Sequence, residues 1–223
     1  MKCVVQTLLL CLLSYTSLSS AQTSSSTKSK VAPAIAGDVE AGKFKSEDSR
    51  CQECHGPDGS GQGPATGAAG KFAKLAGQYP DYLTKQIRDF RSGVRKHDFM
   101  LIMAKSIDET DSADIAAYFA SLKKMQGDKS GDNPVGKNLF INGDATRNIL
   151  PCVSCHGVDG RGIDTPQQTI PVIGGQEWRY LEKQLLDWRS GERHNSEGGI
   201  MNTFSKQLTD KEILALTDYI SGL

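Results

Sequence analysis

Two copies of one short motif constrain the fold of this chain more than any other feature. The sequence CQECH at residues 51–55 recurs as CVSCH at residues 152–156. A histidine directly after two cysteines separated by two residues is the attachment signature of c-type haem. Cysteine pairs also bind zinc or form redox disulfides. Both copies continue into Gly and then Asp-Gly, and this repetition favours haem over those two alternatives.

The spacing of the motif matches the chemistry of haem attachment. Each thiol adds to one of two vinyl groups on neighbouring pyrrole rings, so the sulfurs must lie one short turn apart. The adjacent histidine is then carried beneath the ring, where its imidazole can bind the iron. We therefore predict two covalently bound haem c groups. The predicted attachment residues are Cys51, Cys54, Cys152 and Cys155, and the predicted histidine ligands are His55 and His156.

The composition narrows the class of protein. The 223 residues carry no formal net charge, which argues against nucleic acid as a partner. The hydrophobic content of 38% is ordinary for a soluble protein. Four of the six cysteines belong to the two motifs, and Cys3 and Cys11 lie at the extreme N-terminus, so no disulfide framework is left.

The first residues predict an exported protein. Lys2 precedes an apolar run from residue 4 to residue 13, and small residues end at Ala21, so residues 1–21 are predicted to be a signal peptide. A membrane anchor is the weaker alternative because the run is too short to span a bilayer. Export fits the haem prediction and indicates a periplasm-like compartment. The Ser/Thr-rich residues 22–37 are predicted to form a flexible tail.

The rest of the chain is an internal repeat. The two motifs are 101 residues apart, and LAGQ at 75–78 matches IGGQ at 173–176 with an offset of 98. Further on, DFRSG at 89–93 matches DWRSG at 187–191. Such a repeat predicts two similar domains. We assign residues 38–125 to domain 1, the polar residues 126–135 to a linker and residues 136–223 to domain 2.

Each repeat shows helical periodicity. In domain 1, Leu83, Ile87 and Phe90 recur at helical spacing, and Gly93 follows at the expected end. The last helix of domain 2 opens with the capping-box pattern TDKE at 209–212. No stretch shows convincing strand alternation, so the predicted fold class is all-α.

The repeat also selects candidates for the second axial ligand of each iron. Met100 and Met201 occupy the same repeat position, whereas Met103 falls opposite Phe204 and is predicted to be a core residue. Thioether sulfur is a soft ligand, and a His/Met pair raises the reduction potential of haem. We therefore predict Met100 and Met201 as ligands.

Histidine and arginine side chains leave alternatives open. His97 and His194 are competing ligands, but they differ in repeat position and are predicted to lie on the surface. Four arginines face either haem propionates or solvent: Arg91, Arg95, Arg189 and Arg193. The basic residues between 85 and 96 form either a docking surface for a redox partner or a solvated helix face.

These motifs together resemble the cytochrome c4 family, the dihaem c-type cytochromes of bacteria. The resemblance covers nearly all of the mature chain and implies two class I cytochrome c domains related by a pseudo-twofold axis, with His/Met ligation at both irons. It also implies a periplasmic electron carrier, soluble or loosely associated with the membrane, that takes electrons from one redox protein and often delivers them to a terminal oxidase.

One departure from the family concerns a proline whose carbonyl accepts a hydrogen bond from the ligating histidine. Domain 2 has Pro171 at this position and domain 1 has Ala73. The carbonyl remains available in domain 1, on a less rigid segment. Because the orientation of a ligand tunes the metal, we predict that the two haems differ in potential.

Three functions remain to be weighed. The first is an electron-transfer protein that is not an enzyme and has no small-molecule substrate, because both irons would be six-coordinate. The second is a dihaem peroxidase, which needs one open or displaceable ligand position. The third is the haem subunit of a larger dehydrogenase, for example a flavocytochrome, which would use the same ligands.

Overall fold

The structure is a computed structural model that describes residues 36–62 and 72–223. The predicted signal peptide (residues 1–21) and all but the end of the predicted tail (residues 22–37) lie outside the described residues. Within the two described ranges, every helix is too short or too polar to cross a bilayer.

Five helices build each domain in the same order, which confirms the predicted all-α class. The helices of domain 1 are α1 (Val39–Asp48), α2 (Gln52–His55), α3 (Pro80–Ser92), α4 (Asp98–Lys105) and α5 (Glu109–Ser121). Those of domain 2 are α6 (Pro134–Asn142), α7 (Val153–His156), α8 (Trp178–Ser190), α9 (Ile200–Ser205) and α10 (Asp210–Gly222). Two 3₁₀ turns, Ala145–Arg147 and Glu197–Gly199, also lie in domain 2.

Domain 2 also contains a small antiparallel hairpin, which the sequence alone did not predict. The hairpin consists of β1 (Ile163–Thr165) and β2 (Gln168–Ile170), with Asp164 opposite Thr169. Each strand has only three residues, none of them fully buried, so each segment is too short to show an alternating buried face.

The predicted helix ends of α3 and α8 are confirmed. Pro80 occupies the first turn of α3, where its missing N–H has no partner to lose. Gly93 and Gly191 end α3 and α8 with φ angles of 78° and 83°, a left-handed conformation that glycine adopts without a Cβ clash. At the start of α10, Thr209 forms the predicted capping box.

In each domain the first and last helices cross at a glycine. A Cβ atom on Gly42 of α1 would lie 1.9 Å from the Asp114 carbonyl oxygen of α5. A Cβ on Gly136 of α6 would lie 1.9 Å from the Ala215 carbonyl oxygen of α10. Only glycine therefore permits this close approach, which brings α5 and α10 under the motif helices.

Both domains belong to one compact unit of the chain. Residues of the predicted linker lie alongside the C-terminal end of α10. The N–H of Lys129 donates to the carbonyl of Gly222 over 3.0 Å. Helix α6 already begins at Pro134, inside the range that we assigned to the linker. Each hydrophobic core contacts its own motif, through Cys51 in domain 1 and Cys152 in domain 2.

Candidate haem sites

The motif cysteines occupy one-turn helices. Cys51 and Cys152 precede α2 and α7, so the second cysteine of each motif lies about one turn further on. All four motif cysteines are free and half-buried. Burial raises the pKa of the Cys51 thiol and of the Cys152 thiol to about 11. In the chain without haem, the sulfurs of Cys51 and Cys152 are therefore thiols near neutral pH.

The motif histidines have a defined tautomer. The Nδ1 atom of His55 lies 2.8 Å from the Ala73 carbonyl oxygen, and that of His156 lies 3.1 Å from the Pro171 carbonyl oxygen. A carbonyl only accepts, so Nδ1 must donate, and Nε2 keeps the lone pair that binds a metal. Burial lowers the pKa of both imidazoles, which keeps them neutral. Ala73 thus supplies the carbonyl without the proline ring.

A cavity of about 2080 Å³ connects the candidate ligands. Its lining includes His55, His156 and all four motif cysteines. Met100 on α4 and Met201 on α9 line it as well, and both are half-buried. Met103 also lines this cavity, so its repeat position, rather than its location, distinguishes it from Met100.

The competing histidines have other surroundings. Both His97 and His194 are exposed, as predicted. The His97 ring borders the cavity and accepts a hydrogen bond from the Met100 N–H over 3.3 Å, which caps the start of α4. This imidazole therefore has a local structural role at the segment that carries Met100.

Two of the four arginines are buried between the domains, so solvated surface is the wrong interpretation for them. Arg95 and Arg193 are each 6% exposed. The Arg95 guanidinium lies 4.5 Å from the ring centroid of Phe90, and that of Arg193 lies 4.2 Å from the ring centroid of Trp188. Because both pairs occupy equivalent positions, the two arginines form the centre of a symmetric interface.

The hydrogen bonds of these two arginines cross from one domain to the other. Arg95 donates to the Tyr180 hydroxyl over 2.9 Å, and Arg193 donates to the Tyr82 hydroxyl over 3.1 Å. Each guanidinium also donates to both Gln86 and Gln184, over 2.7 to 3.1 Å. This reciprocity shows that the two domains are related by a pseudo-twofold axis.

The partners of the two buried arginines fit an anionic group in the cavity. Within the described residues, the hydrogen-bond acceptors of Arg95 and Arg193 are all neutral amide or hydroxyl oxygens. The Asp89 carboxylate lies close enough to interact electrostatically with Arg95. Both arginines also line the cavity, and guanidinium is a donor type that binds carboxylates such as those of haem.

The other two arginines and the neighbouring basic residues form local pairs. Arg91 donates to the Ala104 carbonyl over 3.1 Å, and Arg189 donates to the Leu208 carbonyl over 3.0 Å. These bonds hold the segments before α5 and α10. Basic side chains of α3 also pair with carboxylates: Lys85 with Asp89, Arg88 with Glu109. These ion pairs neutralise part of the positive charge of this basic stretch.

The sequence alone assigned no role to two glutamines, Gln78 and Gln176. The side chain of Gln78 accepts from the N–H of Val172 over 2.9 Å and donates to its carbonyl over 2.8 Å. Gln176 makes the same pair of bonds to Lys74, over 2.7 and 2.9 Å. The available signal was the repetition of Gly-Gln in both copies.

Comparison with known proteins agrees with this architecture. The family model for cytochrome c matches residues 39–123 and 136–223. Cytochrome c4 from Pseudomonas aeruginosa is 39% identical, and the match covers 84% of this chain and 90% of that protein. The chain belongs to the cytochrome c4 family. It is a dihaem c-type electron carrier with two covalently bound haem c groups.

Other members of the cytochrome c4 family and their relatives extend the comparison. The crystal structure of reduced recombinant cytochrome c4 from Pseudomonas stutzeri superposes with a TM-score of 0.74 at 37% identity, covering 84% of this chain and 100% of that one. A protein of Stutzerimonas stutzeri named thiosulfate dehydrogenase electron acceptor is 32% identical, with 78% of each chain covered.

Proposed function

We propose that the two haems are ligated by His55 with Met100 and by His156 with Met201. Cys51 and Cys54 would hold the first haem, and Cys152 and Cys155 would hold the second. When bound, haem supplies an iron that exchanges one electron between its ferric and ferrous forms. The observation that supports this assignment best is the Nδ1–carbonyl bond of both histidines, which leaves each Nε2 atom free for a metal.

A His/Met pair at each iron makes the chain a carrier and not an enzyme. With both axial positions filled, no position is open for a peroxide or another small molecule. The protein residues would hold the ligands and exclude water from the cavity, and electrons would pass to and from other redox proteins. This role needs no side chain that moves a proton.

We place the carrier in the periplasm, where it would be soluble or loosely associated with the membrane. Its electrons would pass toward a terminal oxidase, as the family resemblance implies. A second candidate is the electron acceptor of a thiosulfate dehydrogenase. The match to a protein of that name, over 78% of both chains, favours this candidate over a flavocytochrome or a peroxidase.

The first experiment is an optical spectrum of the purified holoprotein, oxidised and reduced, with the haems counted per chain. We expect two haems, a near-infrared methionine–iron charge-transfer band in the oxidised form and no change with carbon monoxide. A high-spin component, or rapid carbon monoxide binding at one haem, would show an open site and would favour the peroxidase.

The methionine assignment has matched control variants. Met100→Leu and Met201→Leu should each remove about half of the near-infrared band, because each deletes the sulfur of one iron ligand. Met103→Leu is the control, since Met103 lines the same cavity. Loss of the band in Met103→Leu with its retention in Met100→Leu would reverse the assignment in domain 1.

The two partner candidates are tested by electron transfer in opposite directions: to a terminal oxidase, and from a thiosulfate dehydrogenase. Stopped-flow mixing of the reduced protein with a terminal oxidase preparation should oxidise both haems. Mixing of the oxidised protein with a thiosulfate dehydrogenase and thiosulfate should reduce them if the second candidate holds. Fast reduction by the dehydrogenase with slow oxidation by the oxidase would replace the first candidate with the second.

A further inference from the structure

One peptide group connects each candidate histidine ligand to a glutamine of the opposite domain. The peptide between Ala73 and Lys74 accepts from His55 Nδ1 through its oxygen, and its N–H donates to Gln176 Oε1 over 2.7 Å. The hydrogen bonds of His55 and Gln176 are therefore made by one planar amide.

An equivalent set of hydrogen bonds links domain 1 to the histidine of domain 2. The peptide between Pro171 and Val172 accepts from His156 Nδ1, and its N–H donates to Gln78 Oε1 over 2.9 Å. A glutamine of domain 1 is thus linked to the histidine of domain 2, and a glutamine of domain 2 is linked to the histidine of domain 1.

A peptide group transmits polarisation between its two ends. Its C–N bond has partial double-bond character, so a hydrogen bond that its N–H donates increases the negative charge on its oxygen. Both glutamines are 4% exposed and Val172 is 2% exposed, so bulk water has little access to the glutamine amides. The oxygen of each peptide is therefore a better acceptor for the histidine than an isolated carbonyl.

The second bond of each glutamine fixes the geometry of the link. Gln78 Nε2 donates to the Val172 carbonyl, and Gln176 Nε2 donates to the Lys74 carbonyl, over 2.8 and 2.9 Å. Two bonds to one residue hold the side-chain amide in one orientation, with Oε1 directed at the peptide N–H. Each Oε1 atom also accepts from the N–H of the following residue, Tyr79 or Glu177, over 3.1 and 2.9 Å, so each glutamine combines a local bond with the link between domains.

We propose that Gln78 and Gln176 are positioning residues that tune the haem of the opposite domain. Each glutamine strengthens the Nδ1 hydrogen bond of the histidine across the interface. A stronger acceptor makes the imidazole a stronger donor to iron, which stabilises the ferric form and lowers the potential. This inference rests on the proposed ligation by His55 and His156.

The test is a redox titration of the holoprotein with Gln78→Met and Gln176→Met, which keep the side-chain length and remove both bonds. NMR contacts to Phe90 and Trp188, which line the cavity in domains 1 and 2, assign each haem. Gln78→Met should raise the midpoint potential of the domain 2 haem more than that of the domain 1 haem. Gln176→Met should show the reverse pattern.

Tyr79→Phe is the matched control. The Tyr79 hydroxyl donates to the Arg161 carbonyl of domain 2 over 2.9 Å, so this variant also removes a bond between the domains next to Gln78. It does not touch either peptide link, and both midpoint potentials should stay at their wild-type values. An equal shift in Tyr79→Phe and Gln78→Met would mean that general loosening of the interface causes the effect, and would overturn the proposal.

A second glutamine variant and the haem content of the wild type distinguish failure of this proposal from failure of the proposed ligation. If Gln78→Met does not yield folded holoprotein, Gln78→Asn shortens the side chain but keeps an amide, and the same crosswise shift is expected. A shift confined to the mutated domain, or no shift in any glutamine variant, would overturn the proposal. A wild-type protein without two low-spin haems would instead contradict the ligation itself, independently of the glutamines.

Discussion

The two domains share their framework but differ in the details around each candidate haem. Both have a glycine at the crossing of the first and last helices, an arginine against an aromatic ring, and a glutamine across the interface. Two of the differences near the candidate haems are single substitutions: Ala73 corresponds to Pro171, and Ala104 corresponds to Ser205. The shared features form the two frameworks and the interface between them. The differing residues lie near the candidate haem sites, so the surroundings of the two haems are unequal.

One repeat position shows how the interface itself departs from symmetry. His97 is exposed and caps α4 within domain 1, whereas the equivalent Asn195 is 8% exposed. The amide nitrogen of Asn195 donates across the interface to Gln86 over 2.9 Å and to Asp89 over 2.6 Å. A single substitution between the copies therefore turns a local cap into a bond between domains.

The largest expected effect tests the shared framework. Gly42→Ala and Gly136→Ala each place a Cβ 1.9 Å from a backbone oxygen, so the helices must separate. We expect each variant to lose about 3 kcal/mol of unfolding free energy, with equal losses in the two domains. Denaturant titration measures the unfolding free energy of each variant. The neighbouring exposed residues Lys43 and Lys137 provide alanine controls, which should stay within about 0.5 kcal/mol of wild type.

A result in which only one glycine variant is destabilised would break the comparison. It would mean that the first and last helices of the tolerant domain can shift apart without loss, and that the two frameworks are not equivalent. The closeness of the contact is the same in both domains, so no difference is expected from the geometry.

The next prediction concerns an ion pair of domain 2. In domain 2, Arg147 binds Glu212 through two bonds of 2.6 and 3.1 Å and lowers the pKa of Glu212 to about 2. Because this folded pKa lies below the unfolded value, the pair stabilises the protein above about pH 4.5 and loses that effect as the pH falls toward 2. After allowance for solvent screening, Glu212→Gln should cost about 1–2 kcal/mol at pH 7.

Acid titration of unfolding free energy is the measurement. Wild type should lose stability more steeply than Glu212→Gln between pH 4.5 and pH 2, and the two curves should converge at the acid end. Domain 1 has an ion pair at a different repeat position, between Asp114 and Lys45, which also lowers the pKa of the carboxyl group, and Asp114→Asn is the variant for comparison. Parallel curves for wild type and Glu212→Gln would show that the ion pair does not contribute.

The sequence predicted what depends on neighbouring residues. The motif cysteines and histidines act within five residues, and α3, α8 and the capping box of α10 follow from local periodicity and local hydrogen bonds. The attachment and ligand roles of Cys51, Cys54, Cys152, Cys155, His55, His156, Met100 and Met201 stay predictions, which the spectra and variants above address. The domain boundaries also stay predictions.

What the sequence did not predict depends on residues about a hundred positions apart. Arg95 precedes the exposed residues Lys96 and His97, so its local context is that of a surface loop. It is buried because Tyr180 and Gln184 of the other domain approach it. Gln78 likewise looks like a turn residue until Val172 is placed beside it. Burial created by a second domain leaves no local signal in either copy.

A smaller effect concerns buried hydroxyl groups that differ between the domains. Among the described residues, Ser112 and Ser205 have buried hydroxyls without a hydrogen-bond partner. Ser205 lines the cavity, and its equivalent Ala104 has no polar group. Removal of an unpaired hydroxyl should stabilise, so Ser112→Ala and Ser205→Ala should each gain about 1 kcal/mol. Ala104→Ser should lose about as much, as thermal unfolding of the holoprotein can measure.

Ser205→Ala also shows whether the Ser205 hydroxyl has a hydrogen-bond partner in the holoprotein. A gain equal to that of Ser112→Ala would show that Ser205 is unpaired in the holoprotein as well. A loss would show that the hydroxyl has a partner on the haem or its ligand, and that domain 2 has a polar contact which Ala104 cannot supply in domain 1.

The last prediction concerns the haem potentials themselves. The Nδ1–carbonyl distance is 2.8 Å at Ala73 and 3.1 Å at Pro171, so His55 should donate more strongly to iron than His156. We expect the domain 1 haem to have the lower potential, with a separation on the order of 60 mV, which is about tenfold for a one-electron couple. Pro171→Ala should let the second carbonyl approach its histidine and narrow the separation in a redox titration. Equal midpoints in the wild type, or a wider separation in Pro171→Ala, would show that this bond does not set the difference between the two domains.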